Sequence, residues 1–158
     1  MARELNIDFI NLGFSGCGRG ERCVAAEIAT IDAACYVLDY GQNNKTVQDL
    51  EQVYLPFIEE LRQARPTTPI LMSTPIFSSW EWWSAEHCGL ANAKREVIRC
   101  AYTQRLTAGD TNIKLIEGYE LLSPDDGEGF VDGVHPNDLG LAAMSRAYKS
   151  ELKKILKI

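Results

Sequence analysis

Apolar residues fall into two patterns along this chain. Residues 7–14, 35–39, 69–73 and 113–116 form short runs rich in β-branched and aromatic side chains, apolar almost throughout. Such runs suit parallel strands covered on both faces. Between them the period changes to that of an amphipathic helix. Residues 21–31 place Val24, Ala25, Ile28 and Ile31 on one side. Residues 46–64 repeat Val47, Leu50, Tyr54, Phe57, Ile58 and Leu61 at spacings of three and four, with Pro56 expected to kink or restart the helix. Residues 91–106 predict a weaker helix. Residues 139–155 predict a clear one, with Leu141, Met144, Tyr148, Leu152 and Ile155 on one stripe and Asn137 or Asp138 as N-cap. Residues 77–90 hold three tryptophans and no clean period, which reads as a loop or a short lid-like insertion. Strands alternating with helices predict an α/β class, a mostly parallel sheet between two helical layers. The 158 residues suit one domain with its own core.

Composition narrows the function classes. An apolar fraction of 46% and a charged fraction of 24% are those of a soluble globular chain. No run approaches the roughly 18–20 apolar residues that cross a bilayer. Asn6 and Asp8 interrupt any signal-peptide core at the start. A net charge of −6 argues against a nucleic-acid partner. The basic cluster Lys149, Lys153, Lys154 and Lys157 sits on the last helix, where cations suit the helix end. Five scattered cysteines, Cys17, Cys23, Cys35, Cys88 and Cys100, lack C-x-x-C spacing and read as reduced thiols, which favours the cytoplasm.

Three segments carry candidate chemistry, each just beyond a strand or before a helix, where functional groups gather in such sheets. Val131-Asp132-Gly133-Val134-His135-Pro136-Asn137 puts a histidine three residues after an aspartate, with a glycine between and a proline at the exit. An imidazole shuttles protons near neutral pH, and a carboxylate fixes its tautomer. Asp39-Tyr40-Gly41-Gln42-Asn43-Asn44 follows the second run. There Asn43 is read either as an amide aimed at a developing oxyanion or as a helix N-cap. Asn11-Leu12-Gly13-Phe14-Ser15-Gly16-Cys17-Gly18-Arg19-Gly20 follows the first run, and its glycines let backbone N–H groups face an anion. Gly16, Gly18 and Gly20, with Asp39 ending the next run, also suggest a dinucleotide-binding domain. The G-x-G-x-x-G spacing is not met, and that reading leaves Asp132 and His135 unused.

In this order the three segments resemble the motif blocks of the SGNH (GDSL-like) hydrolases, in particular a bacterial branch whose second block reads N-L-G-F-S-G. The resemblance implies a three-layer α/β/α sandwich with a flavodoxin-like sheet and hydrolysis of acyl esters of lipids, carbohydrates or small molecules. It implies Asp132 and His135 as triad acid and base, and the Gly16 N–H and Asn43 amide as the oxyanion hole. No cofactor is implied. Asn44 stands where the family block ends in aspartate, and Cys17 where the branch commonly has asparagine.

The same resemblance places the nucleophile in a first block, farther upstream of Gly16 than the fifteen residues available here. The expectation is therefore an N-terminally truncated domain, 1–158, lacking its first, central strand. Such a chain would be poorly stable alone or would self-associate to complete its sheet. Ser15, in a near nucleophile-elbow setting, is the substitute candidate. A non-catalytic remnant or binding module of the same fold is the rival reading. Trp80, Trp82 and Trp83 read either as a substrate wall or as core closure. His87 reads as a loop histidine, and Asp125, Asp126 and Glu128 as a solvated turn.

Overall fold

The computed structural model describes residues 1–158. In chain order the elements are α1 (Ala2–Leu5), α2 (Arg22–Ala29), β1 (Tyr36–Leu38), α3 (Val47–Ala64), β2 (Ile70–Ser73), α4 (Trp80–Trp83), α5 (Ala85–Thr107), β3 (Ile113–Ile116) and α6 (Gly118–Leu121). A 3-10 turn at Pro124–Gly129 and the long α7 (Asp138–Leu156) follow. The three strands form one parallel sheet in the order β1-β2-β3, with Tyr36 opposite Ile70 and Ile70 opposite Ile113.

Side-chain alternation sorts the core into two layers. Tyr36, Leu38, Ile70, Met72 and Ile113 point to one face, where Leu50, Tyr54, Phe57, Ile58 and Leu61 of α3 pack with Ala25 and Ala29 of α2 and Ile98 of α5. Leu71 and Ile116 point to the other, under Leu5, Leu121, Tyr148 and Leu152. This is the mixed α/β architecture with helices on both faces that the pattern predicts. Thr46 caps α3 in a reciprocal capping box with Asp49, and the helix runs unbroken through Pro56, without the expected restart. Proline there forfeits one backbone hydrogen bond, which the apolar seam of α3 outweighs.

Three elements differ from the expectation. Residues 7–14 form no strand. They reach from Ile7, packed on the α7 side, to Gly18 and Arg19, which are tied to the loop after β1, and they pair with no strand on the way. A strand needs a neighbour to satisfy its backbone, and β1 pairs only with β2. Phe9, Ile10, Leu12 and Phe14 accordingly remain 69%, 63%, 40% and 49% exposed. Val37 points to the same face as Leu71 and is 40% exposed, so the second helical layer does not extend over β1. Residues 77–90 are not a plain loop: they hold α4 and the start of α5, capped by the Ser84 hydroxyl on the His87 N–H. The α5 helix thus begins earlier than its weak period suggests, and His87 lies in its first turn, edge-on to Trp80 at 4.9 Å.

Candidate active site

The segment before α7 folds into a tight loop built around Asp132. One carboxylate oxygen accepts the backbone N–H groups of Val134 (2.9 Å) and His135 (2.8 Å), and the other meets His135 Nδ1 at 2.7 Å. Gly133 takes φ +83°, a left-handed conformation that favours glycine. The loop closes on itself through Val131 N–H donating to the His135 carbonyl (2.8 Å) and a bridge between Phe130 and Pro136. At its foot the Asn137 side chain caps α7 on Leu139 and Gly140 and donates to the carbonyls of Glu128 and Phe130.

This geometry fixes the tautomer of the neutral imidazole. The His135 backbone N–H, its imidazole and the Val134 N–H hold the Asp132 carboxyl far below the usual carboxylate range. An ionised carboxylate only accepts hydrogen bonds, so His135 Nδ1 carries a proton, and in the neutral imidazole Nε2 is the acceptor. His135 is exposed, and Nε2 makes no hydrogen bond within the chain. It is available to a substrate or nucleophile.

A second group of residues surrounds the exit of β1. Gly41, at φ +124°, turns the chain, and the N-cap of α3 falls to Thr46 rather than Asn43 or Asn44. The two asparagines instead hold the glycine-rich segment, Asn43 Nδ2 donating to the Gly18 carbonyl (3.3 Å) and Asn44 Nδ2 to that of Arg19 (3.0 Å). Lys94 of α5, largely buried, donates to the Gln42 carbonyl (3.3 Å). Burial pulls its ammonium below the usual lysine range, and Asp49 partly offsets this. Gly16 sits at the tip of the turn at φ +64°, exposed, with its N–H free of partners in the chain. Ser15 beside it is exposed, and its hydroxyl makes no hydrogen bond. Strands β1 and β2 are parallel, so the loops after them, and the His135 loop tied to the second, lie off the same sheet edge. No hydrogen bond joins His135 to Asn43, Gly16 or Ser15.

The tryptophans lie on α4 close to the His135 loop, since Ser79, the N-cap of α4, donates its N–H to the Gly133 carbonyl (2.7 Å). Trp82 packs on Phe77 at 4.8 Å, within a cluster that also holds Phe130. Trp80, Trp82 and Trp83 are 52%, 58% and 81% exposed, so none closes the core. The 3-10 turn holds Asp125, Asp126 and Glu128, with Asp126 in a capping box with Ser123. Sequence reasoning missed the supports of α4. Glu81 and Arg95 form a buried bidentate pair (2.8 and 2.9 Å), and the Tyr119 hydroxyl donates to Glu81 (3.0 Å). Glu81, a charged residue set between Trp80 and Trp82, was the available signal.

Comparisons with known proteins agree with this fold. Among solved structures, a protein described as a GDSL-like lipase from Bacteroides ovatus superposes with a TM-score of 0.87 at 33% identity, over 96% of this chain and 44% of its own. The salicylyl-acyltransferase SsfX3 from a tetracycline biosynthetic pathway superposes with a TM-score of 0.86 at 22% identity, over 98% of this chain and 47% of its own. An acetyl esterase variant carrying acetate matches at a TM-score of 0.62 and 19% identity, over 84% of this chain and 68% of its own. This chain spans less than half the length of the first two. No protein of curated function matches it. A family-wide sequence match covers residues 1–153, and the chain belongs to the GDSL-like lipase/acylhydrolase family.

Proposed function

We propose that this chain supplies the acid–base pair and the oxyanion hole of a serine ester hydrolase, with Asp132 orienting His135 and with Gly16 and Asn43 receiving the oxyanion. The observation that carries the reading is the Asp132–His135 loop, where an ionised carboxylate fixes the imidazole with Nε2 exposed and free. His135 would take the proton of a serine hydroxyl as that oxygen attacks an ester carbonyl, then return it to the leaving alcohol. Water would release the acyl group in a second, mirror-image step. The free N–H of Gly16 and the second N–H of the Asn43 amide are suited to the oxyanion. Trp80 and Trp83 offer exposed aromatic faces for an acyl or sugar group beside the loop.

The nucleophile is assigned to a serine from polypeptide beyond these 158 residues, seated beside β1, with Ser15 as the second candidate. Support comes from the open flank of β1, the unpaired stretch 7–14 and the span of less than half of the two structural relatives. A fluorophosphonate probe on the full-length protein tests the reading, since it labels only an activated serine. The expected result is one labelled serine, lost when His135 is replaced by alanine, with peptide mapping deciding its position. No label, or a label indifferent to His135, would favour a binding module of the same fold.

Strand completion carries its own prediction. A version extended upstream is expected to melt cooperatively and about 10 °C or more above the 158-residue chain. Covering Phe9, Ile10, Phe14 and Val37 gains several kcal/mol, at about 1.5–3 kcal/mol per fully buried side chain, and each kcal/mol moves Tm by about 2–4 °C at this size. Equal cooperative melts by calorimetry would reject it.

A further inference from the structure

The Asp132–His135 loop is bonded within itself and has a single strut at its tip. Its own bonds run from Asp132 to Val134 and His135 and from Val131 to the His135 carbonyl. Its foot rests on Asn137. Between foot and foot, the loop's only hydrogen bonds to the rest of the protein come from Ser79, whose N–H (2.7 Å) and hydroxyl (3.1 Å) both donate to the Gly133 carbonyl. The approach is so close that a Cβ on Gly133 would lie 2.0 Å from the Ser79 hydroxyl oxygen. Since Asp132 and His135 are locked to each other, the height of this tip sets where the imidazole stands.

Ser79 is itself held by a device stronger than a surface turn requires. Glu81 accepts the Ser78 N–H (2.9 Å) and two bonds from Arg95, whose remaining donors reach the carbonyls of Pro75 and Ile76 (both 3.0 Å) at the exit of β2 and the Asn92 side-chain oxygen (3.0 Å). The Arg95 and Glu81 side chains are 3% and 4% exposed. Burying two charges costs nearly what their attraction returns, so such a pair is weak as a source of stability. Its bonds join α4 to α5 and to the carbonyls at the exit of β2.

Resting on the hydrolase reading above, we propose that Ser79, seated by the Glu81–Arg95 pair, is a positioning residue that sets His135 in register for proton transfer. It touches no reacting atom. A misplacement of about 1 Å costs on the order of 100-fold in rate, and it falls on kcat because substrate binding is left intact.

The test uses the full-length protein. Ser79→Ala removes the hydroxyl bond and is expected to lower kcat for p-nitrophenyl acetate about 10-fold, with KM within about twofold and Ser79→Thr restoring most of the loss. Ser79→Pro removes both donors while suiting the backbone, φ −63° at this position, and is expected to lower kcat about 100-fold. Backbone 15N order parameters of Gly133 and Val134 supply a readout independent of turnover. They are expected to fall from about 0.85 in the parent to below about 0.6 in Ser79→Pro. If the parent turns over through His135 and both variants keep kcat within twofold, the positioning role is overturned. It is equally overturned if the loop stays ordered in Ser79→Pro. If the parent shows no His135-dependent turnover but the loop loosens in Ser79→Pro, Ser79 still tethers the loop, and the hydrolase reading falls together with the role in proton transfer.

Discussion

Replacing His135 by alanine in the full-length protein is expected to lower kcat/KM for p-nitrophenyl acetate by about 10⁴-fold or more, and Asp132→Asn by a comparable factor. The two losses have different causes. Alanine removes the base itself. Asparagine presents an amide where Nδ1 needs an ionised acceptor, so the imidazole loses the partner that fixes its tautomer and steadies its charged form. The pair is also expected to act as a unit: the double variant should be little worse than either single one. Losses that multiply would mean two residues serving separate roles, and unchanged turnover in His135→Ala would end the hydrolase assignment. The depressed Asp132 titration adds a pH statement. Three hydrogen bonds hold this carboxylate ionised well below the range of an ordinary aspartate. Any loss of kcat between about pH 8 and 5 therefore reports a group other than Asp132, and Asp132→Asn should lower the plateau of the profile.

What could be read from the chain in advance follows a physical division. Elements that carry their own signal were legible: α7, with its stripe of Met144, Tyr148, Leu152 and Ile155 and its Asn137 cap, and α3, with its run from Val47 to Leu61, appear within a residue or two of expectation, although Leu141 at the start of the α7 stripe is 54% exposed. The Asp132–His135 contact was legible for the same reason, because three residues and a glycine suffice to close it. Features that depend on a distant partner were not. Residues 7–14 have the composition of a strand, yet pairing is a property of two segments, and β1 offers them no bond. Glu81 and Arg95 meet only after α5 has folded back on the exit of β2, which no local period encodes. The start of α5 was hidden because its first turns are weakly amphipathic and contain Gly89, while the Ser84 cap reveals itself only with its bond to His87.

At the opposite edge of the sheet a second buried charge pair carries the largest expected effect on stability. Arg62 and Asp110 have side chains 7% and 4% exposed, joined by two hydrogen bonds of 2.7 and 3.2 Å. The other guanidinium donors reach the carbonyls of Arg65, Thr68 and Asn112, the last two just ahead of β2 and β3. One side chain thus closes the entrances of both strands. Asp110→Asn leaves this cation buried without its counter-charge, and is expected to destabilise the fold by about 3–5 kcal/mol in urea at neutral pH. Acid dependence gives the sign. Burial raises the Asp110 titration, but the bonds and charge of Arg62 outweigh it, and the net shift is downward. A carboxyl depressed in the folded state contributes stability that is full above its unfolded value near 3.8 and is lost as pH falls through the folded value. The parent should therefore lose stability progressively below about pH 4, and Asp110→Asn should lose less over the same interval. Parallel acid curves for the two proteins would show that the pair does not couple to folding. Because Arg62 sits at the strand entrances and His135 beyond the strand exits, kcat per folded molecule should be unaltered in Asp110→Asn, which separates the loss of fold from the loss of chemistry.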